Sequence, residues 1–537
     1  MIRNNIIIAF FILPFLFFVG CGGSSNTSSN SSSGSGQVTG SIRYEDKEYD
    51  QNGFTGNSSY KAVRYASVEL VKVNTDGTES ILASGSTDAA GQYSLNYSGD
   101  TSNLKLRVYA KTDENSGMQI KVNDISDNMF AAYKQVSGSI LNIDIPASSP
   151  AAGAFNILDV YTSGYRFLQK LSGIYPGQLN VYWEVDNTLG TWFCTSFDPT
   201  WCPLGRGAYI FGGSSGGLGD TDHYDDDVLW HEFGHFTADE FSKDDSPGGP
   251  HFLSDNDLDL RLAWSEGWGG FFPTAIKAWL ESEDPDLLSK HPQTKASFYV
   301  DTINDAALIS IDIGNPGGLP YVYSSNEVAV AKVLWEINES FGTQPIWNIL
   351  EDYLPGIVSP PVSMETFWDG WLQQRAPTPT ELGQLESIFQ ERSIYYQEDI
   401  YEVDDTLSDA KTAALGAGKT HYSYKADGNT DNDVKAFTAT AGTTYTIETY
   451  CLKNGADTYI MLLDSNGNIL DFDDDRSDNA GINATYNNCP KSYFMSFASK
   501  MTFIPSTTDT YYVKVKTSPA APSSAGRYGT YTLEISD

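Results

Sequence analysis

The chain has 537 residues, with 69 acidic and 33 basic side chains and a formal net charge of −36. A surface this acidic repels phosphate groups, so the composition excludes nucleic acid as a partner. The length predicts three folded units.

The first 20 residues have the composition of an export signal. Arg3 precedes an apolar run at 6–19, which is shorter than the roughly 20 residues of a membrane-spanning helix. The run ends at Phe18-Val19-Gly20-Cys21, which resembles a bacterial lipobox with Phe18 in place of the usual leucine. The resemblance implies a lipoprotein signal peptide at 1–20, a lipid anchor on Cys21 and a place in the cell envelope, at the outer membrane or cell surface. An ordinary secretory signal, and hence a secreted protein, is the alternative.

Residues 21–36 are a linker of Gly, Ser and Asn, and the first folded unit follows at 37–148. Apolar and polar residues alternate within it, for example at 66–73 and 104–110, which predicts a β-sandwich. The segment 66–70 followed by 86–95 resembles carboxypeptidase regulatory-like, transthyretin-type sandwiches. This unit contains no catalytic constellation of residues.

The second unit, at 150–398, has a mixed pattern that predicts an α+β domain. Helices are expected at 152–171, 327–341, 364–373 and 380–393, and strands near 179–185 and 208–211. A helix around Glu266 is expected to break at Pro273. The segment 207–213 is either a sheet edge along which an extended substrate lies or a plain core strand.

Four cysteines beyond Cys21 predict export to an oxidising compartment. Pairing neighbours gives the disulfides Cys194–Cys202 and Cys451–Cys489, although four cysteines can pair in three ways.

The segment His231-Glu232-Phe233-Gly234-His235 has the spacing of a zinc site. On a helix, positions i and i+4 share one face, so both imidazoles can bind one Zn²⁺ while Glu232 faces the metal-bound water as general base. Acids at 225–227 and apolar residues on both sides favour a helix here.

A third ligand is expected at Glu266, the single acid in the apolar stretch 262–272. A carboxylate there is costly to bury unless it is paired or binds a metal. Asp255, Asp257 and Asp259 are rival ligands in a polar loop, and a purely structural Glu266 is the alternative.

The segment with His231, His235 and the later Ser-Glu-Gly-Trp sequence resembles gluzincin zinc metallopeptidases, which implies a zincin-like fold and peptide-bond hydrolysis. In that family a tyrosine or histidine stabilises the oxyanion, and Tyr321 and Tyr323 are the candidates here. Gly270 stands where thermolysin-like enzymes have an aspartate that orients a zinc histidine, and Asp227 is a possible substitute. The chain lacks the Gly-x-Met-Glu-Asn segment of aminopeptidases, which favours an endopeptidase.

The last unit, at 399–537, is strand-rich. Segments at 405–406, 437–449, 456–468, 473–475 and 529–535 together resemble the bacterial pre-peptidase C-terminal domain, which implies a jelly-roll-like β-sandwich. Acidic loops at 222–227, 255–259 and 471–475 are expected to be solvated, with Ca²⁺ binding as the alternative for one or more of them.

The sequence thus predicts a multidomain protein with two β-sandwiches flanking an α+β zincin-like domain. Two functions compete. The first is a lipid-anchored zinc endopeptidase acting on protein or peptide substrates. The second is a surface adhesin whose peptidase unit is inactive, but binding alone has no use for Glu232.

Overall fold

The computed structural model describes residues 34–99, 102–213, 221–256, 258–283, 295–303, 306–357, 362–424, 430–454, 456–475, 497–519 and 529–537. The predicted signal peptide, the lipidation site Cys21 and most of the linker lie outside these ranges. The chain is multidomain and rich in β-sheet, with seven α-helices among the described residues. None of those helices is long and apolar enough to span a bilayer.

The N-terminal unit contains the first nine strands. They are β1 (Gly34–Asp50), β2 (Gly53–Ala62), β3 (Ala66–Val73), β4 (Glu79–Ser86), β5 (Gln92–Gly99), β6 (Leu104–Thr112), β7 (Ile120–Asn123), β8 (Ala131–Gln135) and β9 (Ile143–Ile145). The predicted alternation is present, because every second residue of β6 is buried. Strands β3 and β6 pair antiparallel with Val68 opposite Val108, so their apolar residues reach the same core.

The larger of the two N-terminal sheets continues into the central unit. Strand β7 pairs in parallel with β10 (Leu179–Tyr182), β10 pairs with β12 (Gly207–Tyr209), and β11 (Trp192–Cys194) closes the edge. Buried polar contacts reinforce the junction, since the Tyr44 hydroxyl donates to Asp159 at 3.1 Å. One hydrophobic core therefore serves both units.

The segment 207–213 does not form a sheet edge. Strand β12 lies between β10 and β11 and all three of its residues are buried. The alternative of a plain core strand is therefore correct, and the three-residue β11 holds the edge position. Beyond it, Cys194 and Cys202 form the predicted disulfide. Cys451 is also disulfide-bonded, while its expected partner Cys489 lies outside the described residues.

The helices are α1 (Pro150–Ser172), α2 (Asp226–Phe241), α3 (Leu260–Glu283), α4 (Glu327–Phe341), α5 (Thr343–Asn348), α6 (Met364–Arg375) and α7 (Pro379–Gln390). Local sequence signals determine where several of these helices begin and end. Pro150 opens α1 and Gly173, at φ 79°, closes it, and Asn326 caps α4 by accepting from the Ala329 N–H.

The predicted break at Pro273 is wrong, because α3 runs through this residue to Glu283. Proline costs one backbone hydrogen bond inside a helix. Here the neighbours Phe271, Phe272 and Ile276 are fully buried in the core, and this tertiary packing offsets the local cost. A hairpin of β13 (Phe298–Ile303) and β14 (Ala306–Asp312) packs beside α2.

The C-terminal unit consists of two sheets around a separate core. Their orders are β15-β17-β22-β19-β20 and β16-β23-β18-β21. The strands are β15 (Lys411–Thr412), β16 (Lys419–Tyr422), β17 (Asn432–Ala439), β18 (Tyr445–Lys453), β19 (Thr458–Leu463), β20 (Ile469–Asp474), β21 (Lys500–Phe503), β22 (Asp509–Thr517) and β23 (Thr530–Ser536). The predicted strand-rich character of this unit is confirmed.

Candidate metal centre

Helix α2 carries His231, Glu232 and His235 on one side, as the spacing predicts. Phe233 and Phe236 face the other way into the core and are fully buried against aromatic residues of α1. This packing holds α2 in place, so the two histidines approach the same point from successive turns.

Helix α3 brings Glu266 close to His231 and His235, because glycines in α3 let it approach its neighbouring helices closely. A Cβ on Gly269 would lie 2.8 Å from the His231 ring, and one on Gly267 would lie 2.4 Å from Val330 of α4. The Trp268 indole donates to the Gly234 carbonyl at 2.9 Å and links α3 to α2. The glycines of this stretch are therefore needed for helix contact.

Three ligand atoms converge there. The Nε2 atoms of His231 and His235 are 3.1 Å apart, and the Glu266 Oε2 lies 3.1 Å from the first and 3.5 Å from the second. In a tetrahedral zinc site with metal–ligand distances of about 2.0–2.2 Å, ligand atoms are about 3.3–3.6 Å apart. The donor types and their spacing fit one Zn²⁺. The three side chains are 13–15% exposed, so the cluster is open to solvent.

The tautomer of His235 also suits metal binding. The Ser265 hydroxyl donates to Asp244 at 2.9 Å and lies 3.2 Å from the His235 Nδ1. Because the hydroxyl proton goes to Asp244, its oxygen accepts from Nδ1–H, and Nε2 keeps the lone pair that a metal requires. Sequence reasoning missed Ser265 and Asp244, although Ser265 directly precedes the predicted ligand.

Glu232 lies beside this cluster with 6% of its surface exposed. The backbone N–H of Phe193, on the edge strand β11, hydrogen-bonds its carboxylate. Its Oε2 has no hydrogen-bond partner among the described residues. Burial raises the pKa of Glu232 above 4.5, against the opposing effect of His231 and His235. A carboxylate with a free oxygen and a raised pKa is suited to accept a proton.

The charges of the cluster favour a cation. Burial disfavours the ionised form of Glu266, but His235 and His231 hold its pKa well below 4.5. Burial likewise opposes charge on His235, yet Glu266 and Glu232 raise the pKa of His235 to about 10. The carboxylates thus stabilise positive charge at the point where α2 and α3 meet.

Two further residues reach Glu266 that the sequence analysis did not single out. His251 Nε2 lies 3.5 Å from Glu266 Oε2 and 3.7 Å from Glu327 Oε2. Burial and the nearby Glu266 raise the pKa of Glu327 to about 7, with His251 opposing this. His251 is one of only six histidines and lies in the loop between the two ligand helices, a signal that could have identified it.

The two tyrosines proposed for the oxyanion lie next to the C-terminal unit. Tyr323 is buried, its backbone N–H donates to the Arg392 carbonyl at 2.7 Å, and the Lys453 ammonium lies 4.8 Å from its ring centre. The carbonyl of Tyr321 accepts from the Arg392 guanidinium at 3.2 Å. The catalytic role of Tyr321 and Tyr323 stays a prediction.

Asp227 does not orient a zinc histidine, so that suggestion is wrong. Its carboxylate lies 2.5 Å from the Lys277 ammonium and accepts from the Val300 N–H at 3.0 Å, whereas the His231 Nδ1 has no hydrogen-bond partner. Of the rival ligands, Asp259 pairs with Arg261 at 2.7 Å and Asp257 lies outside the described residues.

The acids at 222–227 are not solvated as expected, since Asp222, Asp225, Asp226 and Asp227 are all at most 5% exposed. They are buried because polar groups from other elements reach them, as when Asn156 donates to Asp226 at 3.1 Å.

Besides the two sets at Glu266, three groups of side chains among the described residues have ligand atoms close enough to hold a cation. They are Asp222 with Asp225 and Asp301, Asp399 with His421 and Asp433, and Asp457 with Asp474 and Asp475. Two of these groups involve loops for which Ca²⁺ binding was an alternative, and calcium binding stays a prediction.

Comparisons with known proteins assign no family. No protein-family profile and no curated protein matches the chain. The chain has a weak, partial similarity to the pre-peptidase C-terminal domain of a Bacillus anthracis collagenase, with 14% identity and a TM-score of 0.17 over 24% of this chain and 93% of that one. The Aeromonas hydrophila periplasmic inhibitor of g-type lysozyme, PliG, gives 8% identity and a TM-score of 0.15 over 24% and 94%. The Methylomicrobium album copper-binding protein CorA gives 12% and 0.14 over 24% and 97%. Such scores carry no argument about function.

Proposed function

We propose that the chain is a zinc metallopeptidase. The observation that carries this proposal is the convergence of His231, His235 and Glu266 beside a buried Glu232 with a free carboxylate oxygen. His231, His235 and Glu266 would hold the ion. An inactive adhesin would have no need for a carboxylate in this position, because its burial costs free energy and the Phe193 N–H satisfies only part of it.

The residues around the cluster have distinct roles in peptide hydrolysis. Zinc, when bound, supplies a Lewis acid that makes water more acidic and polarises the substrate carbonyl. Glu232 accepts a proton from the attacking water and passes it to the leaving amine. The Phe193 N–H orients the Glu232 carboxylate, and Ser265 with Asp244 orients His235.

The substrate class follows from the sequence and from access to the site. The absence of an aminopeptidase segment favours cleavage within a chain, and the ligand side chains remain partly exposed to solvent. We also propose that Cys21 carries a lipid anchor and that the enzyme acts in the bacterial cell envelope. A Cys21→Ser variant should leave the membrane fraction, and its retention there would argue for an uncleaved anchor.

The central test is metal content together with activity. Purified protein should contain zinc and should cleave a mixed peptide library, with new internal cleavage sites identified by mass spectrometry. Glu266→Ala should lower zinc affinity, because it removes one of three protein ligands. Zinc content near zero after metal loading, or unchanged affinity in the variant, would contradict the proposal.

A further inference from the structure

His251 and Glu327 lie at the metal centre but have no task in the proposed reaction. His251 comes from the loop between α2 and α3, and Glu327 is the first residue of α4. With Glu266 they form a second group whose ligand atoms all lie within 4.8 Å of one another. Glu266 therefore belongs to two neighbouring sets of potential ligands.

The hydrogen bonding of His251 sets which nitrogen faces the carboxylates. Its Nδ1 lies 3.0 Å from the Gly249 carbonyl oxygen. A carbonyl can only accept, so Nδ1 carries the proton and Nε2 of the neutral ring presents a lone pair. His251 Nε2 lies 3.5 Å from Glu266 Oε2 and 3.7 Å from Glu327 Oε2, so in the neutral ring its lone pair is available to a cation held by both carboxylates. Three electron-pair donors that face one another form the arrangement that a cation stabilises.

Glu327 supplies a second, independent observation. Only 4% of its surface is exposed, and its Oε1 has no hydrogen-bond partner in the part of the chain that the structure describes. The N-terminus of α4 favours a negative charge there, but it leaves this oxygen without a bond. A buried carboxylate with a free oxygen next to another carboxylate is costly unless a cation neutralises it.

We propose that His251, Glu266 and Glu327 bind a second Zn²⁺ next to the first, with Glu266 shared between the two ions. This inference deepens the proposed function and rests on it. Imidazole together with two carboxylates suits zinc, whereas Ca²⁺ and Mg²⁺ prefer oxygen ligands alone. Paired ions of this kind are about 3.5–4 Å apart in hydrolases and stabilise both the attacking and the leaving group.

The test counts zinc ions in the full-length chain. The protein is stripped with a chelator, dialysed against Zn²⁺ and analysed by elemental mass spectrometry. The wild type should hold two ions per chain, while Glu327→Gln and His251→Gln should each hold one. His251 lies on a partly exposed loop, where a substitution is tolerated more easily than in a helix. If Glu327→Gln impairs folding, His251→Gln therefore still tests the second site. Glu336→Gln is the matched control, since Glu336 lies on α4 but pairs with Lys332, and it should hold two.

A His235→Ala variant separates the two proposals. If the wild type holds one ion that is lost in His235→Ala but kept in Glu327→Gln, the second site is wrong and the proposed function stands. If the wild type holds no zinc, the proposed function fails, and the inference fails with it. If the wild type holds two ions and Glu327→Gln and His251→Gln each hold one, the second site is established.

Discussion

Helix α2 carries two buried polar clusters one turn apart, and they differ in which groups meet their carboxylates. The acids at its N-terminus have partners from other elements. Asp225 accepts from the backbone N–H and the hydroxyl of Thr302 at 2.8 Å, and Asp227 pairs with Lys277. These contacts join α2 to β13 and α3, so the first cluster contributes to stability.

The second cluster begins at His231, and there Glu266 meets imidazoles instead of the lysine and threonine side chains that meet the acids of the first cluster. The Glu232 Oε2, the His231 Nδ1 and the Glu327 Oε1 are buried and make no hydrogen bond. Buried polar groups in folded proteins are nearly always bonded, so such exceptions need an explanation. Near a partly exposed group of candidate metal ligands, the explanation we propose is a bound metal ion and a reaction. The comparison therefore separates acids that meet lysine and threonine side chains of other elements from acids that meet the imidazoles of the candidate metal centre.

The strongest test of this comparison is Glu232→Gln. Loss of a general base lowers the rate by about 10²–10⁴-fold, while zinc should remain because its three protein ligands are unchanged. Peptide hydrolysis and zinc content are measured on the same preparation. Glu281→Gln, at the exposed end of α3, is the control and should keep both. A near-parental rate in Glu232→Gln would show that this carboxylate is not the base.

Breaking the first cluster should affect stability instead. Lys277→Met leaves Asp227 buried without its cation, and removing one partner of such a pair costs about 3–5 kcal/mol. Urea unfolding measures the loss, and zinc binding under native conditions should persist. Lys170→Met, at an exposed position of α1, should change the free energy of unfolding by less than about 0.5 kcal/mol. A loss below about 1 kcal/mol in Lys277→Met would contradict a structural role for the pair.

Asp46 of β1, which interacts electrostatically with Asp226 of the first cluster, should also make stability depend on pH. Burial raises the pKa of Asp46 from 3.8 to about 7, with Lys61 opposing this. A raised carboxyl pKa means that the folded state keeps a proton that the unfolded state loses. The contribution of Asp46 to the free energy of unfolding is thus fully present below about pH 4 and is lost as the pH rises through about 7. The loss is on the order of 2–4 kcal/mol.

Asp46→Asn cannot ionise and should flatten this decline in the free energy of unfolding between pH 4 and 7. Asp50→Asn, on the same strand but outside the cluster, should leave it in place. An unchanged slope in Asp46→Asn would place the pH dependence elsewhere in the chain.

The smallest expected effect concerns the orientation of His235. Ser265→Ala removes the acceptor of the His235 Nδ1 proton, and loss of such a partner typically lowers metal affinity about 10–100-fold. Competition with a chelator measures the zinc dissociation constant. Ser282→Ala, near the end of the same helix, is the control. An unchanged dissociation constant in Ser265→Ala would show that packing alone orients the ring.

Local patterns were sufficient for much of the fold and for part of the site. The helix expected at 327–341 is observed at Glu327–Phe341, because the signals for its start and end are contiguous in the chain. The approach of His231 and His235 to one point follows from their helical spacing. The lone acid in an apolar stretch pointed to Glu266, since the cost of burying a charge depends on residue type.

Tertiary structure alone decided the rest. Helix α3 continues through Pro273 because core packing outweighs one lost hydrogen bond, and the segment 207–213 is an inner strand because β11 pairs outside it. His251 and Glu327 come from separate parts of the chain, and no spacing relates them to Glu266. Periodicity indicates which face of an element is buried. Which groups meet across elements depends on long-range packing, and a local pattern carries no information about it.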